Sequence, residues 1–121
     1  MTATGEARKQ SRKSGSSAFA ITVAFELHDG AFGEFHRLVS ANAAASVALE
    51  PECLRFDVLT PLDGNGRSVL LYEIYADRAA FDRHLAAEHY LSFDANTRHL
   101  VSKKTVLTFA VAENAKEPVA T

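Results

Sequence analysis

A handful of polar side chains sit on stripes that are otherwise apolar, and their types suit proton transfer and the holding of an oxygenated ligand. His84 lies between Phe81 and Leu85 on one helical face, and His89 follows beside Tyr90. Histidine exchanges protons near neutral pH. Two of them at the expected mouth of one pocket make a candidate general base, although a lone histidine on such a face also serves as a satisfied core residue. Glu73 is the carboxylate in Val69-Leu70-Leu71-Tyr72-Glu73-Ile74-Tyr75. A charge there must be paired or have its pKa raised, so Glu73 is either a catalytic group or the ion-pair partner of Arg55 across a hairpin. Asn42 and Ser46 are one turn apart on the stripe that carries Phe35, Val39 and Leu49. A buried carboxamide needs several partners, and either a backbone group or a bound oxygenated ligand would supply one. Ser46 has a local explanation, a bond back to its own helix. The candidate catalytic residues are His84, His89 and Glu73. The candidate substrate contacts are Asn42, Ser46, Arg55, Tyr72, Tyr75 and Phe93, with Tyr72 and Tyr75 on opposite faces of their strand.

Other chemistries find little support. The i, i+5 spacing of His84 and His89 puts them on different sides of a continuous helix, so no metal site is expected. Gly64-Asn65-Gly66 belongs to a hairpin turn and not to a strand-to-helix phosphate loop. There is no Gly-x-Ser-x-Gly elbow and no flavin or nicotinamide fingerprint, so no cofactor is expected. Cys53 starts a strand, where a buried structural thiol is a commoner finding than a nucleophile.

Periodicity supplies the elements that must position these groups. Phe19 to Leu27 has large apolar residues at every odd position, the period of a strand. His28-Asp29-Gly30 is a turn with Asp29 as a plausible helix cap. Phe35, Leu38, Val39, Asn42, Ala45, Ser46 and Leu49 then share a helical face, and Glu50-Pro51 ends the helix. Strands follow around Leu54–Leu59 and Ser68–Tyr75, joined through the turn-rich Pro61 to Gly66. Asp77 caps a second helix, a weak break falls near Ala87-Glu88, and Thr105 to Val111 reads as the last strand. The order β-α-β-β-α-β is the ferredoxin-like split βαβ motif of an α+β fold. Its sheet has helices on one face only, so an apolar second face would call for the same sheet of a second subunit, giving a homodimer.

Composition sets outer bounds. The 121 residues suit one domain, expected over 18–112, with disordered tails at 1–17 and 113–121. A net charge of −2 gives no reason to invoke nucleic acid or an anionic membrane. No apolar run is long enough to span a bilayer, and the basic N-terminal stretch lacks the apolar segment of a signal peptide. The single cysteine cannot form an internal disulfide, which fits the cytoplasm.

The segments Glu50-Pro51-Glu52-Cys53-Leu54-Arg55-Phe56-Asp57-Val58, Leu71-Tyr72-Glu73-Ile74-Tyr75, Ala80-Phe81-Asp82-Arg83-His84-Leu85 and His89-Tyr90 together resemble the antibiotic biosynthesis monooxygenase family, over roughly Ile21 to Phe109. The resemblance implies a dimeric α+β barrel. It also implies oxidation of a small quinol or phenol by molecular oxygen with no bound metal or flavin. His84 or His89 would be the base, and Asn42, Arg55 or a tyrosine hydroxyl would hold the substrate oxygen. Leu54 to Leu59 with Tyr72-Glu73 is also similar to the branch that isomerises phosphorylated autoinducer-2, a small dione, for which Arg55, Arg98, Lys103 and Lys104 would be the phosphate clamp. Haem-degrading relatives carry an axial histidine late in the last helix, and Leu91 to Asn96 has none. A dimeric small-molecule-binding module without turnover is the third reading.

Overall fold

The computed structural model describes residues 18–112. The expectations for the two tails therefore lie outside the described residues. The elements are β1 (Phe19–Leu27), α1 (Phe32–Leu49), β2 (Cys53–Leu59), β3 (Ser68–Tyr75), α2 (Arg78–Leu85), α3 (Glu88–Thr97), a 3₁₀ turn (Arg98–Leu100) and β4 (Val101–Ala110). They form the α+β, ferredoxin-like arrangement, with an antiparallel sheet in the order β2-β3-β1-β4. No helix is long and apolar enough to cross a membrane among these residues.

The strand pairing decides which side chains meet. Ile21 and Phe56 both lie opposite Glu73, while Val23 lies between Leu71 and Val106, and Phe25 between Val69 and Lys104. Side chains alternate along a strand, so these residues share the face under the helices. Phe35 and Val39 of α1 and Phe93 of α3 pack onto it. The rings of Phe25, Phe35 and Phe93 lie 4.8–6.4 Å apart, within the range of favourable aromatic pairs. Arg55, Leu59, Leu70, Tyr72, Ile74, Leu107 and Phe109 occupy the other face by the same register. There Leu59, Leu70, Leu107 and Phe109 are exposed in the isolated chain, so this side of β3 is less covered than its composition suggests.

Several local details depart from the periodic reading. The buried stripe of α1 is Phe35, Val39, Asn42, Ala43 and Ser46, and Leu49 at its end is exposed. Asp29 does not cap α1: Ala31 occupies that position, and Asp29 instead accepts from Arg67 at 2.9 Å. The turn before the helix needs Gly30, whose φ of 79° is a conformation that side chains with a Cβ rarely adopt. Asp77 does cap α2, accepting from the backbone N–H of Ala80 at 2.9 Å. Asp77→Ala orphans that donor and is expected to cost about 1 kcal/mol in urea unfolding, with no change in the m-value.

The last two helices are separate because Ala87 is extended, with ψ of 145°. The N–H groups of Ala86 and Ala87 close α2 onto Arg83 and His84. The chain then re-enters α3 at Glu88, and His89 is thereby carried back toward His84. Their ring centroids are 6.0 Å apart.

Candidate active site

Between the sheet and the helices lies a cavity of about 230 Å³. Its walls are mainly apolar, from Val23, Phe25, Phe56, Leu71, Phe81, Leu85, Tyr90, Phe93 and Val106. Besides Tyr90, whose ring carries a hydroxyl, four polar side chains interrupt them: Asn42, Glu73, His84 and Lys104. An apolar concavity with a few convergent polar groups is the usual form of a small-molecule site.

Asn42 reaches it from the middle of α1. The residue is 4% exposed, and its Oδ1 has no hydrogen-bond partner among the described residues. Leaving a buried carboxamide oxygen unpaired costs about 1–3 kcal/mol, which a ligand hydroxyl in the cavity would offset. Ser46 sits one turn further on with its hydroxyl donating to the carbonyl of Asn42 at 2.8 Å. That bond holds the serine within its own helix and away from the cavity lining.

His84 lies in the last turn of α2 and is 2% exposed. Its ring packs among Phe56, Phe81, Tyr75 and Tyr90, with centroids 5.1–6.1 Å away. Nδ1 lies 2.8 Å from Oε2 of Glu50. A carboxylate only accepts, so Nδ1 carries the ring proton of the neutral form and Nε2 keeps its lone pair. Nε2 is thus the ring nitrogen that is not bonded to Glu50. Burial pushes the His84 pKa down, against the bond to Glu50 and its charge, which act to raise it. The ring is therefore held neutral and oriented, the condition of a general base. His89 Nε2 lies 2.5 Å from the same Glu50 oxygen. His89 therefore shares the carboxylate with His84 and does not line the cavity.

Glu50, which along the chain reads only as a helix end, supplies the carboxylate that both histidines share. Its side chain is 15% exposed. Pro51 excludes the helical conformation at Glu50, whose backbone is extended with ψ of 106°. A glutamate fixed before proline, at the end of a helix with a polar stripe, is the sequence signal. Its partners, 34 and 39 residues away, leave no linear trace.

Glu73 is 3% exposed and accepts from the Tyr75 hydroxyl at 2.7 Å. Burial pushes its pKa up to about 7, opposed by the Tyr75 bond and assisted by the charge of Glu50. Tyr75 is fully buried, and its phenol is pushed well above its usual range, first by burial and then by Glu73. It therefore serves Glu73 rather than opening onto the cavity. The alternative partner expected for Glu73 is elsewhere. Arg55 projects from the opposite face, where it pairs with Asp57 at 2.7 Å and lies over the Tyr72 ring. Neither Arg55 nor Tyr72 reaches the cavity, whereas Phe93 does. The Cys53 thiol is buried and pushed up to about 11, chiefly by burial, so it stays protonated at neutral pH.

A model of the family described as antibiotic biosynthesis monooxygenase matches residues 18–96. The chain belongs to that family. The matched span includes Asn42, Glu50, Glu73, His84 and His89, and so holds most of the site. No curated protein matches the chain significantly. Among solved structures, Rv0793 from Mycobacterium tuberculosis is 26% identical with a TM-score of 0.75, the alignment covering 83% of this chain and all of that one. A single-substitution variant of SnoaB, a cofactor-independent oxygenase from Streptomyces nogalater, is 24% identical with a TM-score of 0.71, over 84% of this chain and all of SnoaB. At that identity the SnoaB match carries the fold alone.

Proposed function

We propose that this family member is a cofactor-independent monooxygenase that oxidises a small quinol or phenol with dioxygen. One observation carries the reading: a neutral, Glu50-oriented His84 and an unpartnered Asn42 carboxamide open onto the same apolar cavity. Nε2 of His84 takes the phenol proton, and the Asn42 carboxamide holds the ring oxygen from the other side. The resulting phenolate is electron-rich enough to pass an electron to dioxygen, and the two radicals combine at a ring carbon to give a peroxide anion. His84 returns its proton to that anion. Loss of water from the hydroperoxide leaves a ring carbonyl, so one oxygen atom enters the product and the other leaves as water. Apolar walls favour this course by keeping bulk water from the phenolate.

Occupation of the exposed outer sheet face by a second copy would give a homodimer and cover Leu59, Leu70, Leu107 and Phe109. A reducing compartment such as the cytoplasm suits the free Cys53. The isomerase alternative is less well served, because Arg55 faces away and Arg98 is paired with Asp94 at 2.6 Å. That leaves Lys104 as the cation lining the cavity among the described residues.

The test is oxygen consumption over a panel of quinols and polycyclic phenols, with product mass measured under ¹⁸O₂. One labelled atom in the product is expected, and Asn42→Ala should raise KM about tenfold by removing the ring-oxygen contact. Anaerobic turnover of a phosphorylated dione would replace this reading with the isomerase. Tight ligand binding without turnover of either kind would replace it with the binding module.

A further inference from the structure

We propose that Glu50, His84 and His89 form a binding site for a divalent first-row transition cation of the zinc class. One ligand atom from each of these residues lies within 4.8 Å of the other two. The atoms that already converge are the nitrogens Nδ1 of His84 and Nε2 of His89, both on Oε2 of Glu50. Two imidazoles and one carboxylate are a donor set that zinc takes, and the nitrogens select against magnesium and calcium, which prefer all-oxygen shells. In the metal-free chain two protons hold this cluster together. A cation would replace both and draw the three donors to about 2.0–2.2 Å from a common centre.

The set is built by the fold and not by one flexible segment. Glu50 is held at the end of α1 by the proline that follows it, His84 lies in the last turn of α2, and His89 in the first turn of α3. The extended Ala87 is what allows both histidines to face one carboxylate, although a continuous helix would part them. The cluster is also partly open to solvent. The side chains of Glu50 and His89 are 15% and 17% exposed. Glu50 borders a surface cleft of about 400 Å³, formed with Pro51, Glu52 and Arg83, that shares no lining residue with the substrate cavity. Glu52 and Arg83 in that cleft pair with each other at 2.6 Å, so the carboxylate of Glu50 is left for the histidines.

Occupation would change what His84 offers the cavity. A neutral imidazole has one ring proton. With a cation on Nδ1, that proton must sit on Nε2, so His84 becomes a donor and can no longer accept a phenol proton. The cation and the base are thus mutually exclusive states of one side chain. This consequence rests on the function proposed above, whereas the binding itself does not.

The experiment titrates untagged, metal-stripped full-length protein with Co²⁺ and follows the visible d–d absorption, with Zn²⁺ as competitor. One cobalt per chain is expected, displaced by zinc. Glu50→Gln and His89→Ala should each weaken binding at least about tenfold, while His99→Ala, at an exposed residue of the 3₁₀ turn, should not. ¹⁵N spectra of the zinc-bound protein should show the His84 proton on Nε2 instead of Nδ1. No binding at about 1 mM cobalt, or equal affinity in the parent, Glu50→Gln and His89→Ala proteins, overturns the site. A zinc-bound protein whose His84 proton stays on Nδ1 also overturns it. Binding by a protein that turns over no quinol upholds the site and removes only its consequence for catalysis.

Discussion

His84→Ala, still folded, is expected to lose roughly 10²–10⁴-fold in kcat on any quinol or phenol that the parent oxidises, the usual contribution of a positioned general base. The size of the effect follows from the lack of a substitute. Among the cavity-lining residues, Glu73 is engaged by Tyr75, Asn42 cannot take a proton at neutral pH, and Lys104 is a cation. His89 bonds the same Glu50 oxygen as His84 and does not line the cavity. Truncation also opens space beside Phe56, Tyr75 and Tyr90, so free imidazole can enter and supply the missing base. Recovery of rate with added imidazole separates loss of a base from general damage. Glu50→Gln leaves the ring in place but replaces the carboxylate that sets its tautomer, so its loss of kcat should be smaller. A folded His84→Ala protein that oxidises a confirmed substrate at the parent rate would remove His84 from the mechanism.

The second large effect concerns stability and belongs to Glu73. Its folded pKa of about 7 lies above the ordinary 4.5, chiefly because burial penalises the carboxylate. A carboxyl with a raised folded pKa binds its proton more tightly in the native state than in the unfolded state. Its contribution is therefore fully present below pH 4.5 and lost as pH rises through 7. The shift corresponds to roughly 3 kcal/mol, a large share of a small domain's total stability. Glu73→Gln keeps the shape and an acceptor for the Tyr75 hydroxyl but cannot ionise. The variant is expected to match the parent near pH 4.5 and to exceed it by roughly 3 kcal/mol at pH 8, on the order of 10 °C in Tm. His84 acts with the opposite sign, since its folded pKa is lowered and its contribution is lost as pH falls. Comparing the two proteins at each pH cancels that term. Parallel stability curves for parent and variant between pH 5 and 8 would show that Glu73 ionises at its ordinary pKa.

Periodicity and punctuation account for how much of this protein was legible along the chain. Alternation in β1 and β3 and the helical spacing in α1 establish the element order, because the period of the apolar residues reflects the geometry of each element. The proline after Glu50 and the aspartate at 77 mark helix ends through local sterics and hydrogen bonding, which need no distant partner. Asn42 was visible as a polar residue on a buried stripe, and the fold leaves its oxygen unpaired beside the cavity.

Pairing across the chain is a different matter. Arg55 is the ion-pair partner that the hairpin offers Glu73 along the chain, but a register shift between Cys53 and Arg55 places Phe56 opposite Glu73 and sends Arg55 to the other face. A displacement of one residue exchanges the faces of a strand, and local sequence does not specify it. Likewise, only the break at Ala87 reveals that His84 and His89 share a partner. The polar groups on apolar stripes, and the chemistry open to their types, were thus determined by the sequence itself. Which of them meet was decided by the tertiary structure, because Glu50 reaches its histidines across 34 and 39 residues of chain through strand register and helix packing.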